Sequence, residues 1–512
     1  MSETRSLASS PVTVRTSPPR VDLAAPLLPS DLVAAAGPLE VVVPSEARRR
    51  TGAARAFLDD ALAQDRAVYG STTGFGALVG FPGREDSRDQ ADNTLAHLGA
   101  GQGPPLDGEL VRAAVLVRVR SLAQGASGVK PHVLDALAAM LATSFTPVVP
   151  RWGSVGASGD LVPLAAVAGA LRGHGEAVVD GQRMPARDAL AAAGLTPLAL
   201  DGRDALGLVN GTSLTTAALG LALHGVREAH TALVRLACLL TDLLGCDPQF
   251  TDADLLDRYG HRGAAVVGAR MRTLLAGTVP SGTRALQEPY SIRCVPQLLG
   301  AAHHALRYVA DVVAADLAGV SDNPLLFPEQ DKIVHGGNFF GQPAAFAADL
   351  LAVVSAQMGN LAERQLDLLV DPARNGGLPP MLAAGPGRQH GLQGVQLAST
   401  ALVAELRRDA APAAMGSLPT NLHTQDVVPL GTQAALRARD GVTVLRLLVG
   451  SLALGLRQAA HVGARPPTAP ACAALLDALC TAVRPVDPDR PLEQDVRTAA
   501  DVVLHTPPED LP

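Results

Sequence analysis

RWGSVGASGDLVPLAAVAGAL (Arg151–Leu171) changes character half way: glycine and serine give way to an apolar run with helical spacing. A glycine-rich turn entering a helix suggests a phosphate cradle, but the pattern fails that test. A P-loop needs Gly-Lys-Ser/Thr, and no lysine follows these glycines. In the other glycine-rich loop, TGFGALVG, the third glycine of Gly74, Gly76 and Gly80 falls one position late for a dinucleotide fingerprint, and no buried strand precedes it. The plain reading is a tight turn in which Ser158 or Asp160 caps the following helix.

Working outward, the chain has 512 residues, 47% hydrophobic residues and a net charge of −7. That is ample for a core and offers no footprint for nucleic acid or an anionic membrane. Lys130 and Lys332 are the only lysines, and neither sits in a Schiff-base context. The five cysteines, Cys238, Cys246, Cys294, Cys472 and Cys480, contain no C-x-x-C pair, so a reducing cytoplasm fits better than a disulfide framework. His303-His304 lacks a carboxylate at ligand spacing and reads as packing or surface, so no metal is expected. The N-terminus has no apolar signal region. VTVLRLLVGSLALGLRQAA, interrupted by Arg446 and Arg457, reads as a buried core helix.

Residues 1–40, rich in Ser, Thr and Pro, are expected to form a flexible tail. An N-terminal domain is expected over 41–205, with a helix at 45–68 and a small hairpin and short helix over 175–205. From 206 to 512 the pattern becomes long, Ala/Leu-rich and helical, as in SLTTAALGLALHGVREAHTALVRLACLLTDLLG. Strand alternation is scarce, so the fold expected is mainly α, a long-helix central bundle with a smaller N-terminal domain.

GSVGASGDLVPLA resembles the signature of the aromatic amino acid ammonia-lyases and their aminomutase cousins. YGSTTGFG with Tyr69, GLVNGTS with Asn210, QEPYSIRCVPQ with Gln287, Tyr290 and Arg293, SDNPLLF with Asn323, HGGNFFGQ with Phe340, and TQDVVPLG with Gln425 come in the family's order. The resemblance implies the ammonia-lyase/fumarase-like fold. It also implies a self-made cofactor: Ala157, Ser158 and Gly159 cyclise, losing two waters, to 4-methylidene-imidazole-5-one (MIO), with no external cofactor. Gly159 offers an unhindered nitrogen, Ser158 the departing hydroxyl, and Ala157 leaves room.

The resemblance further implies that Tyr69 takes the β proton and that Arg293, helped by Asn323, grips the substrate carboxylate. Asn210 would donate a hydrogen bond to the MIO carbonyl. Tyr290 would lie near the amine, with Gln287 and Phe340 behind the site. A free tyrosine has a pKa of about 10, so Tyr69 must be depressed or the enzyme must favour alkaline pH. The family builds each site from three subunits of a homotetramer.

NTLAHLGAGQG sets the expected substrate. Tyrosine-using members have a His-Leu pair where His97 and Leu98 stand, the His donating to the para-hydroxyl. Histidine users carry a shifted His and tend to have Glu at the place of Gln425. L-Tyrosine is therefore expected ahead of L-phenylalanine and L-histidine, with a tyrosine aminomutase or a histidine ammonia-lyase as the alternative and a non-catalytic helical scaffold as the reading from another class. Departures from the common pattern, Thr424 in TQD and Glu288 in QEPY, point toward secondary metabolism.

Overall fold

The computed structural model describes residues 18–504, so residues 1–17 of the expected tail lie outside the described residues. From Arg20 onward the segment is not a tail. Arg20–Asp22 (β1) pairs in parallel with Glu40–Val42 (β2), with Pro29–Ala34 (α1) between them. Leu32 and Leu39 are fully buried, each contributing roughly 2 kcal/mol by leaving water. Buried Arg112 fixes the segment by donating to the carbonyls of Ala35, Gly37, Leu141 and Phe145. These partners lie far off in sequence, which is why local composition misleads here.

The helix expected at 45–68 is Ser45–Ala63 (α2), which stops five residues short at a C-cap on Gln64. Next come Ser87–His97 (α3), Gln102–Pro105 (β3), Gly108–Leu122 (α4), Pro131–Ala142 (α5), Thr146–Pro147 (β4), Pro150–Trp152 (β5) and Leu161–Leu171 (α6). The expected hairpin and short helix are Glu176–Val179 (β6), Gln182–Pro185 (β7) and Ala186–Ala192 (α7). β6 lies between β4 and β7, and β3 pairs antiparallel with β5.

The helical part follows as Gly202–Val209 (α8), Ser213–Leu243 (α9), Ala253–Tyr259 (α10), Arg262–Leu274 (α11), Tyr290–Arg293 (α12) and Val295–Ala318 (α13). A hairpin, Leu325–Phe327 (β8) and Lys332–Val334 (β9), leads to Gln342–Val370 (α14), Gln393–Asp409 (α15), Gly431–His461 (α16), Pro470–Ala482 (α17) and Glu493–Leu504 (α18). α9 is the axis, packed by α1, α4, α13, α14 and α16. It is buried along almost its whole length because its neighbours surround it. A Cβ on Gly220 of α9 would overlap the Leu32 side chain, so a glycine there lets α1 dock.

The α8–α9 stretch, α14 and α16 are each apolar and long enough to cross a membrane by length and composition. Their most apolar windows are instead 100%, 67% and 72% buried within the chain. One apolar core runs from Val21 to Leu504, crossing the expected 205/206 boundary because α4 packs on α9 and α6 on α8.

Candidate active site

The turn quoted at the outset is held by three backbone hydrogen bonds, two of them to the segment entering α14. Gly159 N–H donates to the Phe339 carbonyl (2.9 Å) and Gly341 N–H to the Gly156 carbonyl (3.1 Å), while Asp160 N–H donates to the Gly211 carbonyl (2.7 Å). Asp160 is fully buried and makes no side-chain cap for α6. Its carboxylate accepts from Ser154 Oγ, Thr432 Oγ1, and both Oγ1 and N–H of Thr215. The plain capping reading therefore fails for Asp160, whose carboxylate ties the turn to α9 and α16. Burial raises its pKa, opposed by these donors.

Gly159 has φ +68°, and a Cβ there would overlap the Gly211 backbone, so only glycine fits. Ala157 is buried, and the Ser158 hydroxyl accepts from Gln425 Nε2. This is a setting that suits cyclisation of the three residues: an unhindered glycine, a small buried alanine and a serine side chain on a cavity.

That cavity, about 720 Å³, gathers most of the expected residues. Tyr69, His97, Leu98, Ser158, Asn210, Asn323 and Gln425 all line it. Phe75, Phe339, Leu206, Val209, Thr420 and Asn421 also line it and were not singled out from the sequence. Phe75 sits inside the quoted YGSTTGFG motif and Phe339 beside Phe340, so both were within view. Phe340 does not line the cavity and is partly exposed; its neighbour Phe339 takes that place. Among the described residues no Asp or Glu lines the cavity, and Arg84 is the only formally charged one that does.

Tyr69 is held at three points. Its N–H donates to His335 Nε2 (3.2 Å), its ring meets Phe75 edge-on, and its Oη accepts from Gly76 N–H (2.8 Å). Burial pushes its pKa up, partly countered by the Gly76 donor. The sequence left open a depressed tyrosine or an alkaline optimum; in this chain the tyrosine is raised.

α3 starts just after Asp86, whose side chain caps it by accepting from the N–H groups of Arg88 and Asp89, and ends at His97. His97 Nδ1 lies 2.8 Å from the Asn93 carbonyl, and its ring stacks on Phe75 at 6.0 Å between centroids. That bond needs the proton on Nδ1, so the neutral ring offers Nε2 as an acceptor. The expected direction of the hydrogen bond is therefore reversed: a substrate hydroxyl would donate to His97.

Asn210 also differs from expectation. Its Nδ2 donates to Asp322 Oδ1 (3.2 Å) and to the Asn323 carbonyl (2.9 Å), so neither N–H is spare for an MIO carbonyl. Rotating the amide would set its oxygen against a carboxylate and a carbonyl. Asn323 Oδ1 in turn accepts from Gly336 N–H (2.8 Å).

Tyr290, Arg293 and Gln287 are absent from this cavity. α12 packs at the other end of α14, where Gln365 Nε2 donates to the Ser291 carbonyl (2.8 Å). From Gln342 to Gln365 the helix rises roughly 35 Å. Tyr290 is 72% and Leu286 85% exposed, and Arg293 stacks on the Tyr290 ring at 4.8 Å. The segment is anchored at its root, where Arg284 forms a two-pronged pair with buried Glu288 and donates to the Arg374 carbonyl. Among the described residues no group of three or more His, Cys, Asp or Glu gathers as a metal site.

A glycine-tight turn, a half-buried phenol and an almost uncharged cavity at one end of a long-helix bundle fit a lyase of the helical-bundle class. Residues 27–483 match the family model described as aromatic amino acid lyase, and the chain belongs to that family of carbon–nitrogen lyases. It is 37% identical over 488 residues to a histidine ammonia-lyase of Symbiobacterium thermophilum, covering 94% of this chain and 96% of that one. It is 38% identical over 499 residues to a tyrosine ammonia-lyase of Cereibacter sphaeroides, covering 93% and 95%. Among solved structures, a tyrosine aminomutase from Streptomyces globisporus is similar with a TM-score of 0.88 and 31% identity, over 95% of this chain and 97% of that one.

Proposed function

We propose that Ala157-Ser158-Gly159 forms MIO and that the enzyme eliminates ammonia from L-tyrosine, giving p-coumarate. The observation that carries this reading is the meeting of Ser158, Tyr69 and His97 on one cavity that has no carboxylate. MIO, once formed, supplies an electrophile that captures the amine and makes it a better leaving group. Tyr69 takes the β proton, and the Gly76 N–H supports the phenolate. His97 Nε2 accepts from the para-hydroxyl, while Leu98 and Phe75 flank the ring. A substrate lacking that hydroxyl leaves the acceptor unpaired, which discriminates against it. Gln425, standing where histidine users tend to carry Glu, disfavours histidine.

Arg293 grips the carboxylate with its planar fork. Its distance from its own chain's cavity supports a homotetramer in which Arg293, Tyr290 and Gln287 serve the site of a neighbouring copy.

Ultraviolet detection of coumarate, cinnamate and urocanate from the three amino acids, with a check for β-amino products, tests the activity. Coumarate is expected to dominate. Urocanate without coumarate overturns the substrate assignment, and β-tyrosine as the main product makes the protein an aminomutase. The electrophile is tested separately: the intact protein should weigh two waters less than its encoded mass, and Ser158→Ala should abolish both this loss and turnover.

A further inference from the structure

Behind the Ala157–Gly159 turn lies a buried cation that the mechanism above does not use. Arg118, on α4, is 2% exposed. Its Nη1 donates to the carbonyls of Ser321 (2.9 Å) and Asn210 (3.3 Å), yet its Nε and Nη2 are buried with no hydrogen-bond partner among the described residues. A buried guanidinium with two unmet donor atoms is costly, and a group kept at that cost asks for an explanation.

Its position supplies one. A Cβ on Gly211 would overlap Arg118 Nη1, and a Cβ on Gly159 would overlap the Gly211 backbone. Two residues without side chains thus let Arg118, the Asn210–Gly211 peptide and Gly159 stack in van der Waals contact. Arg118 binds the oxygen of that peptide, which polarises the peptide toward Gly159. Asp322, Arg203 and Asp160 are the charged groups facing Arg118. Asp322 is already committed to Arg203 (2.6 Å) and to Asn210, and Asp160 to hydroxyls, so neither carboxylate hydrogen-bonds the guanidinium. Burial lowers the Arg118 pKa only to about 10, which leaves it charged at neutral pH.

We propose that Arg118 is an electrostatic positioning residue for the electrophile, acting through the Asn210–Gly211 peptide on the ring that Ala157, Ser158 and Gly159 form. The inference rests on the MIO reading above. When a nucleophile adds to the methylidene carbon, its lone pair makes the new bond and the alkene pair moves into the ring. A cation fixed behind Gly159 in a medium of low dielectric stabilises that charge without reorganising.

The test separates electrophilicity from turnover. Cyanide adds to the methylidene carbon and a proton follows, and intact mass reports both the two-water loss and the rate of adduct formation. Arg118→Gln is expected to slow trapping by roughly tenfold or more, and Arg118→Lys by less, since a point charge remains. Gly211→Ala, which keeps the cation but pushes it back, is expected to slow trapping as well. Arg118→Gln or Gly211→Ala protein that has lost both waters and traps at the wild-type rate overturns the proposal. If Arg118→Gln does not lose the waters, Arg118→Lys and Gly211→Ala decide the matter by the same readout. Wild-type protein that keeps its encoded mass overturns the MIO reading, and the role proposed for Arg118 with it.

Discussion

The two halves of the candidate site are built in opposite ways. The half around Ser158 is closed within one chain. Asp160, Arg118, Arg203 and Asp322, all 0–3% exposed, bind segments up to 272 residues apart into one rigid floor. The half around Tyr290 is an exposed segment at the far end of α14, held at its root by the Arg284–Glu288 pair and open at its tip. On the proposed mechanism, the base and the electrophile are the parts that need geometry a single core can guarantee. The segment proposed to anchor the carboxylate sits on a surface that faces outward, where the proposed homotetramer would bring it to another copy.

The contrast predicts different kinds of damage. On the closed side, Tyr69→Phe keeps the ring but removes the proton acceptor, and turnover should fall by roughly two to four decades with little change in KM. Because burial raises the Tyr69 pKa, the phenolate is a minority species at neutral pH. Wild-type kcat/KM should therefore climb with pH, about tenfold per unit on the acidic limb; a flat profile from pH 7 to 10 would remove Tyr69 as the titrating base. A smaller effect is expected at the cavity wall. His97→Phe should shift the ratio of kcat/KM for tyrosine over phenylalanine by about ten- to a hundredfold toward phenylalanine, as read by coumarate and cinnamate formation. The mildest belongs to the open side. Glu288→Gln weakens the root of the anchor segment and should raise KM by about three- to tenfold while kcat stays within about twofold. A fall in kcat without a change in KM would mean that the segment does more than hold substrate.

The long helices were legible because their apolar spacing is local, and so were the hairpin and short helix at 176–192. The Arg20–Val42 segment was not, since its order comes from Arg112 and α9 rather than from its own periodicity. In the site, motifs pointed to residues that share one cavity, Tyr69, Ser158, Asn210, Asn323 and Gln425 among them, but not to their orientations. The Asn210 amide is aimed by Asp322, 112 residues away, and the His97 tautomer by the Asn93 carbonyl; neither bond leaves a trace in composition. The motif holding Tyr290 and Arg293 reads as well as the others, but a linear sequence does not say which copy of a chain a residue serves.

The division of the site between copies is tested most directly by mixing. Tyr69→Phe and Arg293→Ala proteins, each nearly inactive alone, are unfolded together, refolded and assayed for coumarate. If a site takes Tyr69 from one copy and Arg293 from another, random assembly restores an intact pair in about a quarter of the sites, and activity rises to that fraction of a wild-type sample refolded in parallel. Mixed protein that forms hybrid oligomers yet stays as inactive as its parents would contradict the account, because both residues would then have to come from one chain.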